Sequence, residues 1–201
     1  MPAVFLVSDT HFGHSGVCRF TRNDGSKLRP WTDPDEMDEA MIKAWNERVK
    51  PTDKVYHLGD VVINRKAMKT LARLNGDKVL IRGNHDIFRD DEYREYFREL
   101  RAYHVMNGMI LSHIPVHSDS LGRFGVNIHG HLHSNRVKKP RGVDAKTGEI
   151  LYSDQNDVRY HCVCVEQTPD FAPILFEDVV KRIEEEGGTV GFRNGNGPTV
   201  D

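Results

Sequence analysis

Five short blocks stand in fixed order along the chain, each just after an apolar run of strand length. They are Asp9-x-His11, Gly59-Asp60, Gly83-Asn84-His85-Asp86, Ser112-His113 and Gly130-His131-x-His133. Each brings carboxylate, carboxamide or imidazole groups suited to divalent metals, and none uses cysteine. The blocks span residues 9 to 133, so only tertiary structure can unite them. A lone Asp-x-His is weak. A specified tetrapeptide such as Gly-Asn-His-Asp arises by chance in only about one chain of this length in a thousand. Together the blocks point to a two-metal hydrolytic site built where several strands end.

Strands and helices alternate along the chain, which predicts an α/β fold with ligands at the carboxyl ends of strands, where loops converge. Strands are expected over residues 4–8, 54–58, 78–82, 126–129 and 160–165, and a hairpin over 105–112 turning at Asn107-Gly108. Met37, Met41, Ile42, Trp45 and Val49 recur at helical spacing over residues 35–49. Thr32, Asp33 and Asp35 can cap that helix, and Pro51 follows it. Further helices are expected over 66–74, 91–101 and 174–186. Residues 1–186 form one domain on this reading, and the Gly- and Asn-rich stretch 187–201 is a mobile tail.

Bulk properties narrow the partners. A net charge of −2 supplies no global attraction to nucleic acid or to an anionic membrane. No apolar stretch approaches the roughly 20 residues a membrane helix needs, and the run at residues 3–7 is too short for a signal peptide. The three cysteines, including Cys162 and Cys164 at a C-x-C spacing, suggest no disulfide framework and no zinc ribbon. The reading is a protein of the reducing cytoplasm. Histidine is the unusual residue: the chain has eleven, five of them in the blocks.

These blocks resemble the signature of the calcineurin-like metallophosphoesterases, with no signature position missing over roughly residues 3–135. The opening Ser8-Asp9-Thr10-His11-Phe12-Gly13-His14, with Glu36-Met37, Trp45-Asn46 and His57-Leu58, is similar to small single-domain bacterial and phage members. The resemblance implies a four-layer α/β/β/α sandwich of two mixed β-sheets flanked by helices, with metals at one edge. It implies one divalent ion on Asp9, His11, Asp60 and His133, and a second on Asp60, Asn84, His113 and His131, so that Asp60 bridges. A hydroxide between two cations about 3.5–4 Å apart would then attack phosphorus in line. His85 would protonate the leaving oxygen as general acid, and Asp86 would orient His85. Manganese is the expected metal, and iron, zinc, cobalt or nickel would also suit such donors.

The expected substrate is a small phosphomonoester or phosphodiester. Cyclic nucleotides and nucleic-acid ends are the alternative within that class, and an extended nucleic-acid partner is not favoured. A different class is a non-catalytic binding or scaffold module on the same fold. Such a module would be expected to lack ligands or His85, and neither is missing. A one-metal lyase or a structural metal protein would not need both ligand sets.

Several residues lie beyond the signature. His14 and His117 stand evenly between lining the site and serving as loop residues. His57, His104, His129 and His161 read as satisfied core or surface histidines. The basic run at residues 136–141 is either a phosphate-attracting rim or a solvated loop, and the loop is the favoured reading. Arg29 and Arg82 could each meet a substrate phosphate. Specificity is expected in the loops at residues 16–30 and 118–124.

Overall fold

Side chains alternate along the first strand and so define two layers. Phe5 and Val7 enter a cluster with Met37, Met41 and Trp45, whereas Leu6 enters another with Leu111 and Ile128. That division into two faces follows from the period of two in a strand. The computed structural model describes residues 2–192.

In chain order the strands begin with β1 (Val4–Val7), β2 (Lys54–His57), β3 (Asp77–Ile81), β4 (Glu99–Arg101), β5 (His104–Met106) and β6 (Met109–Ser112). They continue with β7 (Asn127–His129), β8 (Lys138–Val143), β9 (Ile150–Asn156), β10 (Tyr160–Cys162) and β11 (Ile174–Leu175). One sheet has the order β11-β1-β2-β3-β4, with β11 antiparallel and the rest parallel. The other has the order β10-β7-β6-β5, with only β5 antiparallel. The expected sandwich of two mixed sheets with helices is therefore the fold. Met109, Leu111, Val126 and Ile128 fill the space between the sheets against Tyr56, Leu58, Val79 and Ile81.

Helix α1 (Pro34–Arg48) forms much as its sequence dictates. The Asp33 carboxylate accepts the Asp35 N–H at 2.9 Å, Pro34 opens the first turn, and Met37, Met41 and Trp45 bury one stripe against the first sheet. Residues 65–73 wind as a 3-10 helix, started by the Asn64 side chain accepting the Ala67 N–H. Helix α3 (Phe176–Glu185) places Phe176, Val179 and Ile183 in the inter-sheet core.

Two expectations are corrected. Residues 91–101 do not form one helix: α2 (Asp90–Arg94) is short, and β4 follows it. Pairing with β3 overrides helix periodicity there, since Arg98 N donates to Lys78 O and Leu100 pairs with Leu80. The basic run after the last ligand enters a two-stranded hairpin, β8 with β9, that stands exposed throughout, Ser153 alone being half-buried. Residues 187–192 run back beside the second sheet, Phe192 bridging Phe124. The rest of the expected mobile tail, 193–201, lies outside the described residues. No helix among the described residues is long and apolar enough to cross a membrane.

The parallel strands determine where the ligand blocks meet. β1, β2 and β3 in one sheet, and β6 and β7 in the other, bring their carboxyl ends to a common edge. Ser8 ties the sheets together there, its N–H donating to Val163 O and its carbonyl accepting from Val165 N–H.

Candidate metal centre

Asp9 and His11 follow β1, Asp60 follows β2, Asn84 and His85 follow β3, His113 follows β6, and His131 and His133 follow β7. Folding gathers them into two clusters whose ligand atoms lie within 4.8 Å of one another: Asp9, His11 and His133, and Asp60, His113 and His131. Eight non-glycine residues among those described have positive φ, and five of them are Asp9, His11, Asp60, His131 and His133. Left-handed backbone costs on the order of 1–3 kcal/mol per residue and persists where the surroundings enforce it. Strain is thus concentrated on the ligand positions. Two glycines allow the crowding: a Cβ on Gly83 would lie 2.2 Å from Asp60 Oδ1, and one on Gly130 would lie 2.0 Å from Ser8 Oγ.

The donor geometry fits two cations sharing Asp60. Asp60 Oδ2 lies 3.7 Å from His11 Nε2 and 3.4 Å from His113 Nε2, so one carboxylate oxygen faces both clusters. Asn84 Oδ1 lies 2.8 Å from His113 Nε2 and 2.9 Å from His131 Nδ1. His113 Nδ1 donates to Leu58 O at 2.7 Å, which leaves Nε2 as a lone pair facing two oxygen acceptors. Acceptors converge this way around a cation or a proton. In the first cluster Asp9 Oδ1 and both ring nitrogens of His11 are buried without a hydrogen-bond partner. Such orphaned polar atoms need explaining, and a metal ion satisfies them.

Electrostatics agree. Burial works to raise the Asp9 pKa, yet its charge interaction with His11, with His113 and His133 nearby, holds it far below the usual carboxylate range. Burial opposes charge on His113 and His133. Their pKa values are nonetheless raised, His113 by Asp60 and Asp9, His133 by Glu166 and Asp9. The ligand set by itself therefore draws protons where cations would sit.

Behind His133 lies a network that sequence reasoning missed. Glu166 Oε1 accepts from His133 Nδ1 at 3.1 Å and from Arg29 Nε at 2.7 Å, and both the Arg29 and Glu166 side chains are fully buried. Arg29 also donates to the carbonyls of Asp9 and Thr10 at 2.5 and 2.8 Å. Arg29 is thus a buried brace for the Asp9 loop and is not free to meet a substrate. The carboxylate–imidazole contact fixes the His133 tautomer and leaves Nε2 for a metal. Ser8 Oγ, Cys164 Sγ and the His131 N–H converge on Asp9 Oδ2, the oxygen turned away from the cluster.

Asp86 is placed differently from its expected role beside the His85 ring. Its carboxylate accepts the N–H groups of Asp60, Val61 and Gly83 at 2.9, 3.0 and 2.8 Å, and Tyr93 Oη approaches at 3.4 Å. It ties the Asp60 loop to the Asn84 loop and acts on His85 only through the backbone. His85 donates its N–H to Asp60 Oδ1 at 2.8 Å, and its exposed ring lies 5.7 Å from that of His11.

The other candidates separate cleanly. His14 joins the site, its ring 5.5 Å from that of His11. His117 is an exposed cap for residues 118–121 and lies outside both clusters. His57, His129 and His161 are buried, and His104 stacks on Tyr56. Arg82 is spent on Asp90 and on the carbonyls of Asp86 and Phe88. Arg136 pairs with Glu186.

Comparison with known proteins agrees with this geometry. The family model for calcineurin-like phosphoesterases matches residues 3–188. An uncharacterized protein of Methanocaldococcus jannaschii is 32% identical over 191 residues, covering 92% of this chain and 93% of that one. The crystal structure of a protein of unknown function from Aquifex aeolicus is 25% identical, with a TM-score of 0.62, over 90% of this chain and 100% of its own.

Proposed function

We propose that this chain, which belongs to the calcineurin-like phosphoesterase family, hydrolyses a small phosphomonoester or phosphodiester with two divalent metal ions. The observation that carries the reading is Asp60 Oδ2, shared between the His11 and His113 sides of one strained, ligand-rich edge. Asp9, His11, Asp60 and His133 would hold one ion, and Asp60, Asn84, His113 and His131 the other. When bound, such a pair activates water and neutralises charge developing on the phosphoryl oxygens. Nitrogen and oxygen donors without thiolate make manganese the first ion to test.

The chain's own residues supply the rest. His85 stands exposed at the rim with no hydrogen bond to its ring among the described residues, free to deliver a proton to the leaving oxygen. Asp86 sets its position by locking the two loops that carry Asp60 and Asn84. The three cysteines are free and buried, which suits the reducing cytoplasm.

The test is turnover of a generic monoester and a generic diester by the manganese-loaded chain, with metal content measured in parallel. Asn84→Ala should lose one of the two bound ions. His85→Ala should keep both yet lose about 10²–10⁴-fold in rate on a substrate with a poor leaving group. Absence of metal-dependent turnover on either ester defeats the proposal.

A further inference from the structure

Four aromatic or imidazole rings follow one another across the site. His85 lies 5.7 Å from His11, His11 lies 5.5 Å from His14, and His14 meets Phe20 edge-to-face at 5.9 Å. Phe20 ends the row and is 48% exposed. Beside it a cleft of about 260 Å³ opens between residues 20–23 and residues 131–135, the segment that carries His131 and His133. Its wall therefore holds metal ligands at one end and an exposed phenyl ring at the other.

Other large apolar side chains, such as Ile87 and Tyr103, are more exposed than Phe20, and single exposed hydrophobes need no explanation. Phe20 differs by its place in the cleft and by its neighbours. Asn23 Nδ2 donates to Asn135 Oδ1 at 3.2 Å, which leaves a carboxamide acceptor on Asn23 and a donor on Asn135. Arg22 is held by Leu28 O at 3.3 Å through one of its donors. A planar ring to stack upon, paired carboxamides for a heteroatom edge, and a guanidinium are the groups that bind a nucleobase. An acyl chain could cover Phe20 and Leu132 but would leave the paired carboxamides and the guanidinium without partners, and a bare sugar would leave the phenyl ring uncovered.

We propose that this cleft is a nucleobase subsite, with Phe20 as its stacking platform, and that the phosphate ester cleaved at the metal edge is a nucleotide. The inference rests on the phosphoesterase reading above. At about 260 Å³ the cleft is near the small end of ligand pockets and suits one nucleoside rather than a polymer.

The experiment is calorimetric titration of the manganese-loaded full chain with inorganic phosphate, ribose 5-phosphate, adenosine 5′-monophosphate and a 5′-phosphorylated dinucleotide. Phosphate should bind, and the nucleotide should bind about tenfold more tightly than ribose 5-phosphate. Phe20→Leu keeps apolar bulk on an exposed position. It should erase the nucleotide's advantage to within about twofold, while phosphate affinity and metal content stay unchanged. Asn23→Ala should reduce the same advantage.

A dinucleotide tighter than the mononucleotide would make the ligand a strand end, and equal affinity would make it a free nucleotide; either supports the subsite. A nucleotide no tighter than ribose 5-phosphate, or a Phe20→Leu variant that keeps the full preference, overturns it while leaving the phosphoesterase reading intact. Failure of phosphate itself to bind would remove that reading and the subsite together.

Discussion

Replacing Glu166 by Gln tests the buried brace behind His133. Gln is isosteric, and its carbonyl oxygen can still accept from His133 Nδ1 and Arg29 Nε, so the geometry survives while the charge goes. Arg29 then remains a fully buried guanidinium whose acceptors, the new amide oxygen and the Asp9 and Thr10 carbonyls, are all neutral. Removing one partner of a buried pair costs about 3–5 kcal/mol, because the other charge is left uncompensated. For a chain of this size that lowers the melting temperature by roughly 10 °C. A neutral acceptor also polarises His133 less, and outer-shell losses of this kind weaken metal binding about 10–100-fold.

Thermal unfolding of metal-free protein reads the first effect, and calorimetric titration with manganese reads the second. The double variant Arg29→Met with Glu166→Gln removes both charges. It should melt higher than the sum of the two single losses predicts, without regaining metal affinity. A Glu166→Gln protein that melts within about 2 °C of the parent and binds manganese equally well would refute the reasoning.

Buried titratable groups and close packing have further consequences. Burial pushes the Asp38 carboxyl up to about 6, even though Gly13 N–H bonds both of its oxygens at 3.1 and 2.9 Å. Its folded pKa lies above the unfolded value, so stability is fullest below about pH 4 and falls as pH rises through 6. Asp38→Asn keeps the acceptor and should melt higher than the parent at pH 7.5, with the gap closing near pH 4. Burial lowers His57 to about 3 and His129 and His161 to about 4. Their neutral forms contribute stability present above about pH 6.5 and lost on acidification, up to about 4 kcal/mol per pH unit for three protons near pH 5. Urea unfolding of metal-free protein between pH 7 and 4.5 measures that slope, and a flat profile would contradict it. Gly130→Ala would put a methyl carbon 2.0 Å from Ser8 Oγ and 2.5 Å from Asp9 Oδ2, so bound metal should fall in an elemental assay while Gly148→Ala, whose added carbon meets nothing within 4 Å, leaves it unchanged.

Much of the scaffold was legible because its signals are local. Met37, Met41 and Trp45 announce α1, and Asn107-Gly108 announces the turn between β5 and β6. Residues 91–101 misled because Tyr93, Phe97 and Leu100 fit a helical face equally well, and only pairing of β4 with β3, a long-range event, decides against it. The hairpin of β8 and β9 was invisible for another reason. With nearly every residue exposed, it buries no face and leaves no periodic apolar pattern to read.

The site was more legible than the fold, and its backbone explains why. At Asp9, His11, Asp60, His131 and His133 the chain must turn left-handed to aim ligands inward. Among non-glycine residues, Asp, Asn and His tolerate that region best, and Asp, Asn and His are also the donors that hard and borderline metals take. Conformation and coordination therefore select the same residue types at the same positions, and glycine fills the places where no Cβ fits. Glu166 escapes this double selection. It sits in a 3-10 turn with ordinary backbone and acts through His133, so no strain marks it. Its one signal was positional: a carboxylate just beyond the run from Tyr160 to Val165, at a strand end like every ligand block. A charged residue with no exposed face, one step past an apolar strand that points at a metal edge, is the pattern by which such outer residues can be found.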